Sequence, residues 1–277
     1  MKKVLIALMA VVILAGSAFG EGLKIGVLTR LNMSEEEFTA FALKQRVSFL
    51  GWTVTATHHS PEDTFKYFDT MNSMLMALRS DKIDEAALPE PSAEYIVNTN
   101  SNFQTCCAFR TKPIHVAMGF RNDAAGQRLC AMVNQALWAM NEDRRLGIII
   151  EQYINQAGTA TPGAEVFTKY EGAETITVAV TGDLPPLDMI AADGKPIGFN
   201  TAVLAELGRR MRVNIELLNV EAGARTSALM SGRANAVFWY EIADVEGKTY
   251  DAPYGVLLSE PYYGWNTILH IRHKRAE

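Results

Sequence analysis

The side chains able to do chemistry in this 277-residue chain are few and scattered. His58 and His59 fall in a polar stretch, His115 opens an apolar run, and His270 and His273 lie in the tail. No Ser-His-Asp set, phosphate loop or metal-ligand spacing joins them. General acid or base catalysis needs a group held in a cleft with a shifted pKa, and no such arrangement is legible. Cys106, Cys107 and Cys130 make an odd set. Neighbouring cysteines pair with each other only under strain. That leaves one bridge from Cys130 to Cys106 or Cys107, or three buried thiols acting as small hydrophobes. Without clustered histidines the thiols do not spell a metal site, and no cofactor is implied. Polar residues at strand ends and helix starts are better placed. Arg30 directly follows the apolar run LKIGVLT (23–29), a position from which a guanidinium fork reaches a carboxylate. Thr29, Asn32 and Ser34 flank it, and Ser34 opens a helical pattern whose free N–H groups favour anions. Ser34 serves equally as a simple helix cap and Arg30 equally as a solvated surface cation. Asn72 and Ser73 open a second helical pattern, and Glu90 ends a strand-like run.

The elements that must position these residues occur twice. ALRSDKIDEAALPE (77–90) returns as ALMSGRANAVFWYE (228–241), at an offset of about 151, and the match extends to both sides. LKIGVLT answers TITVAVT (175–181), each a β-rich run ending in Thr. Helical patterns follow: SEEEFTAFALKQ (34–45), with Ser34 and Glu37 spaced as a capping box, and FNTAVLAELGRRM (199–211). WTVTAT (52–57) and VNIELLNV (213–220) are the expected second strands. NSMLMALRS and RTSALMSG are the second helices, and IDEAAL and ANAVFWY the third strands. Strands alternating with helices predict parallel pairing, because a parallel crossover is long enough to hold a helix. IHVAMGFRND (114–123) reads as a strand, residues 125–154 as one or two amphipathic helices, and 155–174, rich in Gly, Ala and Thr, as a linker. The fold class is α/β with two lobes, each a mainly parallel sheet flanked by helices: residues 21–154 and 175–277. Two such lobes bring strand C-termini and helix N-termini to a shared crevice, the usual place for a small ligand.

The chain is 48% hydrophobic and 21% charged, a globular composition, and its formal charge of -5 excludes the basic field that nucleic acid requires. Residues 1–20, MKKVLIALMAVVILAGSAFG, have the charged start, short apolar run and small residues of a signal peptide cut near Gly20. The expected location is periplasmic or secreted. No later stretch is long and apolar enough to span a membrane.

Several motifs carry a family resemblance. GDLPPLDMIAADGKPIGFNTAVLAELGRRM (182–211), ALMSGRANAVFW (228–239) and LLSEPYYGW (257–265) are similar to the first lobe of type II periplasmic solute-binding proteins, the amino-acid receptors of ABC importers. KIGVLT (24–29), FDTMNSMLMALRSDKIDEAALPEPSAEYI (68–96), MGFRND (118–123) and NQALWAMNEDRRLGIIIEQYI (134–154) resemble that family's second lobe and return helices. The lobe order is reversed relative to the family, which reads as a circular permutation. It predicts that Glu21 and Lys274 lie close together and that 114–121 and 264–272 cross between lobes. A remnant of two tandem receptors, with neighbouring chains completing each other's lobes, is the alternative.

The resemblance implies a wall of ligand-binding residues at Asp183, Leu187, Phe238, Trp239, Tyr240, Ser259 and Tyr262, facing the loops of Thr29, Arg30, Asn32, Ser34, Asn72, Ser73 and Glu90. Asp183 before Pro-Pro serves equally to shape a turn, and Phe238 and Trp239 equally to pack a core. Two family features are absent. The Thr-x-x-Arg segment that supplies a carboxylate-binding Arg is replaced by EIADVEGKTYDAPYGVL (241–257), where Lys248 is the only basic residue. The ammonium-binding acid aligns with Pro89, leaving Glu90 to substitute. The implied function is delivery of a small polar, amino-acid-like solute to an ABC transporter permease. A membrane sensor reading the same closure is the alternative partner, and a secreted dehydratase-like enzyme a more distant one.

Overall fold

The computed structural model describes residues 22–29, 34–36, 39, 47–49, 52–54, 62–159, 166–191, 194–243 and 254–274. The signal-peptide reading of 1–20, Glu21 and the site candidates Arg30 and Asn32 lie outside these residues.

The first lobe in the chain is built on β1 (Lys24–Leu28), whose Ile25, Gly26 and Val27 are buried. It pairs in parallel with β4 (Thr64–Phe68) and β5 (Glu85–Pro89). The described part of WTVTAT, residues 52–54, pairs outside this sheet. Its β3 (Trp52–Val54) folds back on β2 (Val47–Phe49) as an antiparallel hairpin, an outcome suited to the two-residue Leu50-Gly51 connection. The second parallel strand is therefore TFKYF, not WTVTAT. Helix α1 (Met71–Arg79) leads into β5 with Met71, Met74, Ala77 and Leu78 buried, and α2 (Glu90–Thr99) follows it.

Strand β6 (Phe103–Arg121), longer than the sequence predicts, carries the chain out of this lobe. Two helices follow, α3 (Ala124–Glu142), capped by Asp123 on Gly126 N–H, and α4 (Arg145–Ile150), ending in a π-helical turn, Glu151–Asn155. The second lobe starts at β7 (Thr175–Val180). After the small antiparallel set β8 (Asp183–Leu184), β9 (Asp188–Ile190) and β10 (Pro196–Ile197) comes α5 (Phe199–Met211). Gly198, at φ 102°, opens that helix where a Cβ would meet Pro186 O at 2.8 Å, so no other residue fits the turn. Then come β11 (Asn214–Asn219), α6 (Arg225–Met230), β12 (Ala236–Ala243), β13 (Val256–Leu258) and β14 (Tyr263–His273).

The lobes share one continuous sheet, β11-β7-β12-β6-β14-β5-β1-β4, with β13 also on β6. Each outer trio is parallel, and the crossing strands β6 and β14 pair antiparallel to their neighbours. The β6–β14 ladder breaks register between Trp265/Ile114 and Thr267/Arg110. Pro113 stands in that gap and has no N–H to give the ladder. Gly26 and Ile271 both flank Ala86 across the sheet, so β1 starts and β14 ends at the same end of it, two strand spacings or about 10 Å apart. One hydrophobic cluster runs through both lobes, and a smaller one lies under α6 around Leu229, Val237 and Tyr240.

Candidate functional site

Every parallel strand in both lobes points its C-terminal end toward the junction, and the loops there carry the candidates. In the first lobe, Thr29 closes β1: its N–H donates to Phe68 O at 2.9 Å and its hydroxyl to Asp69 Oδ1 at 3.0 Å. Ser34 is exposed just before helical residues 35 and 36, and Glu37 of the expected capping box is outside the described residues. The N-cap of α1 is Thr70, whose hydroxyl accepts from Ser73 N–H at 3.1 Å while Ser73 Oγ donates to Thr70 O at 2.8 Å. Asn72 and Ser73 are exposed on the first turn. Glu90 begins α2, half-buried, and with Glu94 helps to raise the Tyr263 phenol on β14 to about 12, an effect due first to burial.

The second lobe supplies a side-chain contact that reaches α1 across the junction. Asp183, at the start of β8, accepts the Met71 N–H of α1 on Oδ2 at 2.8 Å, and the Asn72 N–H also bonds its carboxylate. The helix N-terminus of one lobe thus holds a carboxylate of the other, the arrangement that orphan N–H groups and the helix dipole favour. Burial raises the Asp183 carboxyl above its usual range against these two bonds, and Asp188 pushes the same way as burial. Asp188 is buried and accepts from Thr181 N–H at 2.7 Å, Thr181 Oγ1 at 2.9 Å and Asn200 Nδ2. It fixes the 181–190 loop against α5. The first N–H groups of α5 are already taken, by Pro186 O and Leu187 O. Of these two helix N-termini, that of α1 is the one bonded to the opposite lobe.

Other expected wall residues lie inside the core. Leu187, Phe238, Tyr240 and Tyr262 are each under 4% exposed. The Tyr262 hydroxyl donates to Phe238 O at 2.7 Å, and that of Tyr240 lies 3.1 Å from Thr226 Oγ1. Ser259 is buried too, accepting from Met118 N–H at 3.0 Å and donating to Glu260 O at 2.8 Å. Trp239 is half-buried, with the Arg225 guanidinium 5.2 Å from its ring centre.

Arg225 escaped the sequence reading. It begins α6, is buried, and donates to Trp239 O at 2.7 Å and Ala222 O at 3.1 Å. The signal was available: a cation in the first turn opposes the helix dipole, so it stands there for another reason. Also missed were three buried groups without a hydrogen-bond partner among the described residues: Trp239 Nε1, Trp265 Nε1 and Ser92 Oγ. They sit midway along β12, on the crossing part of β14 and on the first turn of α2.

Among the described residues no helix is long and apolar enough to cross a membrane. A search of curated proteins finds no match to the chain. Among solved structures, the ligand-binding component of an ABC-type import system from Staphylococcus aureus, with zinc bound, aligns with 92% of this chain at 11% identity and a TM-score of 0.45. This chain spans 66% of that protein's length. The probable amino-acid ABC transporter extracellular-binding protein of Bacillus subtilis aligns over 91% of this chain and 83% of its own, at 11% identity and a TM-score of 0.43. The GluR0 ligand-binding core of Nostoc punctiforme, in complex with L-glutamate, aligns over 89% and 84%, at 11% identity and a TM-score of 0.38. The family model for bacterial extracellular solute-binding proteins, family 3, matches from the second residue of β7 to the residue after β14. Residues 176–274 therefore carry the fold of the bacterial extracellular solute-binding proteins, family 3.

Proposed function

We propose that this chain is an extracytoplasmic receptor that closes two lobes around a small polar, amino-acid-like solute for delivery to an ABC importer. The observation that carries this reading is the Asp183 contact with Met71 and Asn72. A solute carboxylate taking that place meets the α1 N-terminus from one lobe while its other end reaches the second. Contact with both walls is what makes a ligand select the closed form. The indole N–H groups of Trp239 and Trp265 and the Ser92 hydroxyl, without a partner among the described residues, supply further donors at the junction, and buried polar groups of this kind call for a partner. The family match over 176–274 supports the solute-binding class.

We read the lobe order as a circular permutation of that family. The adjacency of the β1 start and the β14 end across β5 supports it, as do β6 and β14 crossing between lobes.

A thermal-shift screen with amino acids, polyamines and small carboxylates tests the function. A solute present at a hundred times its Kd stabilises the fold by about 2.7 kcal/mol, which raises Tm by roughly 5–10 °C for a chain of this size. A panel in which no solute moves Tm refutes the reading.

A further inference from the structure

Adjacent residues on a β-strand point to opposite faces of the sheet. Cys106 and Cys107 on β6 do not. His270 pairs with Cys107 and Ile271 with Thr105, so Cys106 is the extra residue of a β-bulge. A bulge re-aims a side chain in this way, and the two sulfurs lie 3.7 Å apart. Cys107 is opposite His270, which is opposite Ala87, and Glu85 two residues earlier on β5 shares their face. Glu85 Oε2 is 3.9 Å from Cys107 Sγ and 2.8 Å from His270 Nδ1. A Glu85 carboxylate oxygen and both sulfurs lie within 4.8 Å of one another. The His270 ring is buried, edge-on to Phe109 at 4.6 Å, while Glu85, Cys106 and Cys107 keep partial exposure and so a path from solvent.

We propose that Glu85, Cys106 and Cys107 form a binding site for a thiophilic divalent cation such as Zn2+, with His270 as the positioning residue that orients the Glu85 carboxylate. Two thiolates and one oxygen donor suit such an ion and leave a fourth, open position for water. A ligating carboxylate is held by a hydrogen bond from its outer neighbour, the part His270 plays. Burial, with the Glu85 charge adding to it, raises both thiols, so the ion-free pair is held as S–H. On loading, two S–H bonds break and two protons pass to solvent. Two metal–sulfur bonds and one metal–oxygen bond form, with no change in oxidation state.

The test is titration of the reduced full chain with Co2+, a coloured substitute for Zn2+, followed by Zn2+ displacement. One equivalent should bind with thiolate charge-transfer and tetrahedral d–d absorption. Cys106→Ser and Cys107→Ser should each lose charge-transfer intensity. Glu85→Gln, the variant that best keeps the side-chain shape, should weaken binding at least about tenfold. His270→Gln should weaken it about 10–100-fold with both bands retained. Cys130→Ser should match the unsubstituted chain, because that thiol lies elsewhere, against Leu258 O at 3.5 Å. The proposal is overturned by absence of the thiolate band, by bands that survive both cysteine substitutions, or by full affinity in Glu85→Gln. It is also overturned if the reduced chain, offered Co2+ together with oxidised glutathione, forms a Cys106–Cys107 disulfide in preference to loading the metal.

Discussion

Replacing Asp183 with Ala removes the carboxylate that ties the two lobes at α1. Its Oδ2 accepts the Met71 N–H at 2.8 Å, and the Asn72 N–H bonds the same group. Met71 is buried, so its N–H is left without an acceptor, whereas exposed Asn72 regains water. The change is that of a lost helix cap, worth about 0.5–2 kcal/mol. With one of two donors recovering water, about 1 kcal/mol is expected, or a fall in Tm of about 2–4 °C. Asp183→Asn separates the acceptor from its charge. Burial raises the folded pKa of Asp183, so the folded chain holds this proton to higher pH than the unfolded chain. The stability linked to that proton is complete below the unfolded pKa, near 3.8, and is lost as pH rises through the folded pKa. At neutral pH the ionised group is a net desolvation cost. Asp183→Asn should therefore melt at or above the wild-type temperature at neutral pH, and that advantage should disappear below the usual aspartate range. Calorimetry across this interval, with hydrogen exchange at the Met71 amide, checks both parts. If Asp183→Ala melts as wild type and the Met71 amide exchanges at the wild-type rate, the contact between lobes does not hold α1. If Asp183→Asn is as destabilised as Asp183→Ala, the charge holds the contact and the ionised carboxylate is a net gain at neutral pH.

Two further outcomes separate core from site. Tyr262→Phe deletes the hydroxyl that donates to Phe238 O inside the core, and an abandoned buried carbonyl should cost about 1–3 kcal/mol in urea unfolding, with the thermal response to a solute unchanged. Glu85 is held below the usual glutamate range, chiefly by its His270 hydrogen bond. The stability it adds is present above the unfolded pKa, near 4.5, and is lost as pH falls through the lower folded value. Glu85→Gln should flatten the acid limb of the Tm–pH curve, and an acid limb identical to wild type would refute that linkage.

The strands that bury one face were legible in the sequence. β1, β5, β7 and β12 carry apolar runs that no loop would expose, and their burial follows. β4 was not legible because it has no fully buried residue. An edge strand of this kind shows no hydrophobic period, while WTVTAT shows a strong β pattern that a local hairpin also satisfies. The first half of β6 was hidden for a similar reason: QTCCAFRTKP is half-exposed, holds a bulge at Cys106 and ends at Pro113. In the site, Asp183 was legible as a residue at a Pro-Pro turn, but its partner Met71 is 112 residues away in the chain. Spacing along the sequence carries no information about such a contact. The cluster of Glu85, Cys106, Cys107 and His270 was hidden in the same way, since a metal-ligand search by spacing looks for ligands on one loop, and these stand on three strands of one sheet.

The same distinction between position in sequence and position in space bears on the missing Thr-x-x-Arg segment. The residues that follow β12 in the sequence, 244–257, supply Lys248 alone as a basic group, and by sequence the second lobe lacks a guanidinium after that strand. In space a guanidinium lies close by: Arg225 reaches Trp239 O, midway along β12, from the first turn of α6. Its hydrogen bonds to Trp239 O and Ala222 O and its contact with the Trp239 and Tyr240 rings offset part of the cost of burying a cation, which explains why the fold tolerates a cation at a helix start that the dipole disfavours. What a cleft requires of a charge is its location and the donors it presents, and a neighbouring helix can supply both when one segment lacks them.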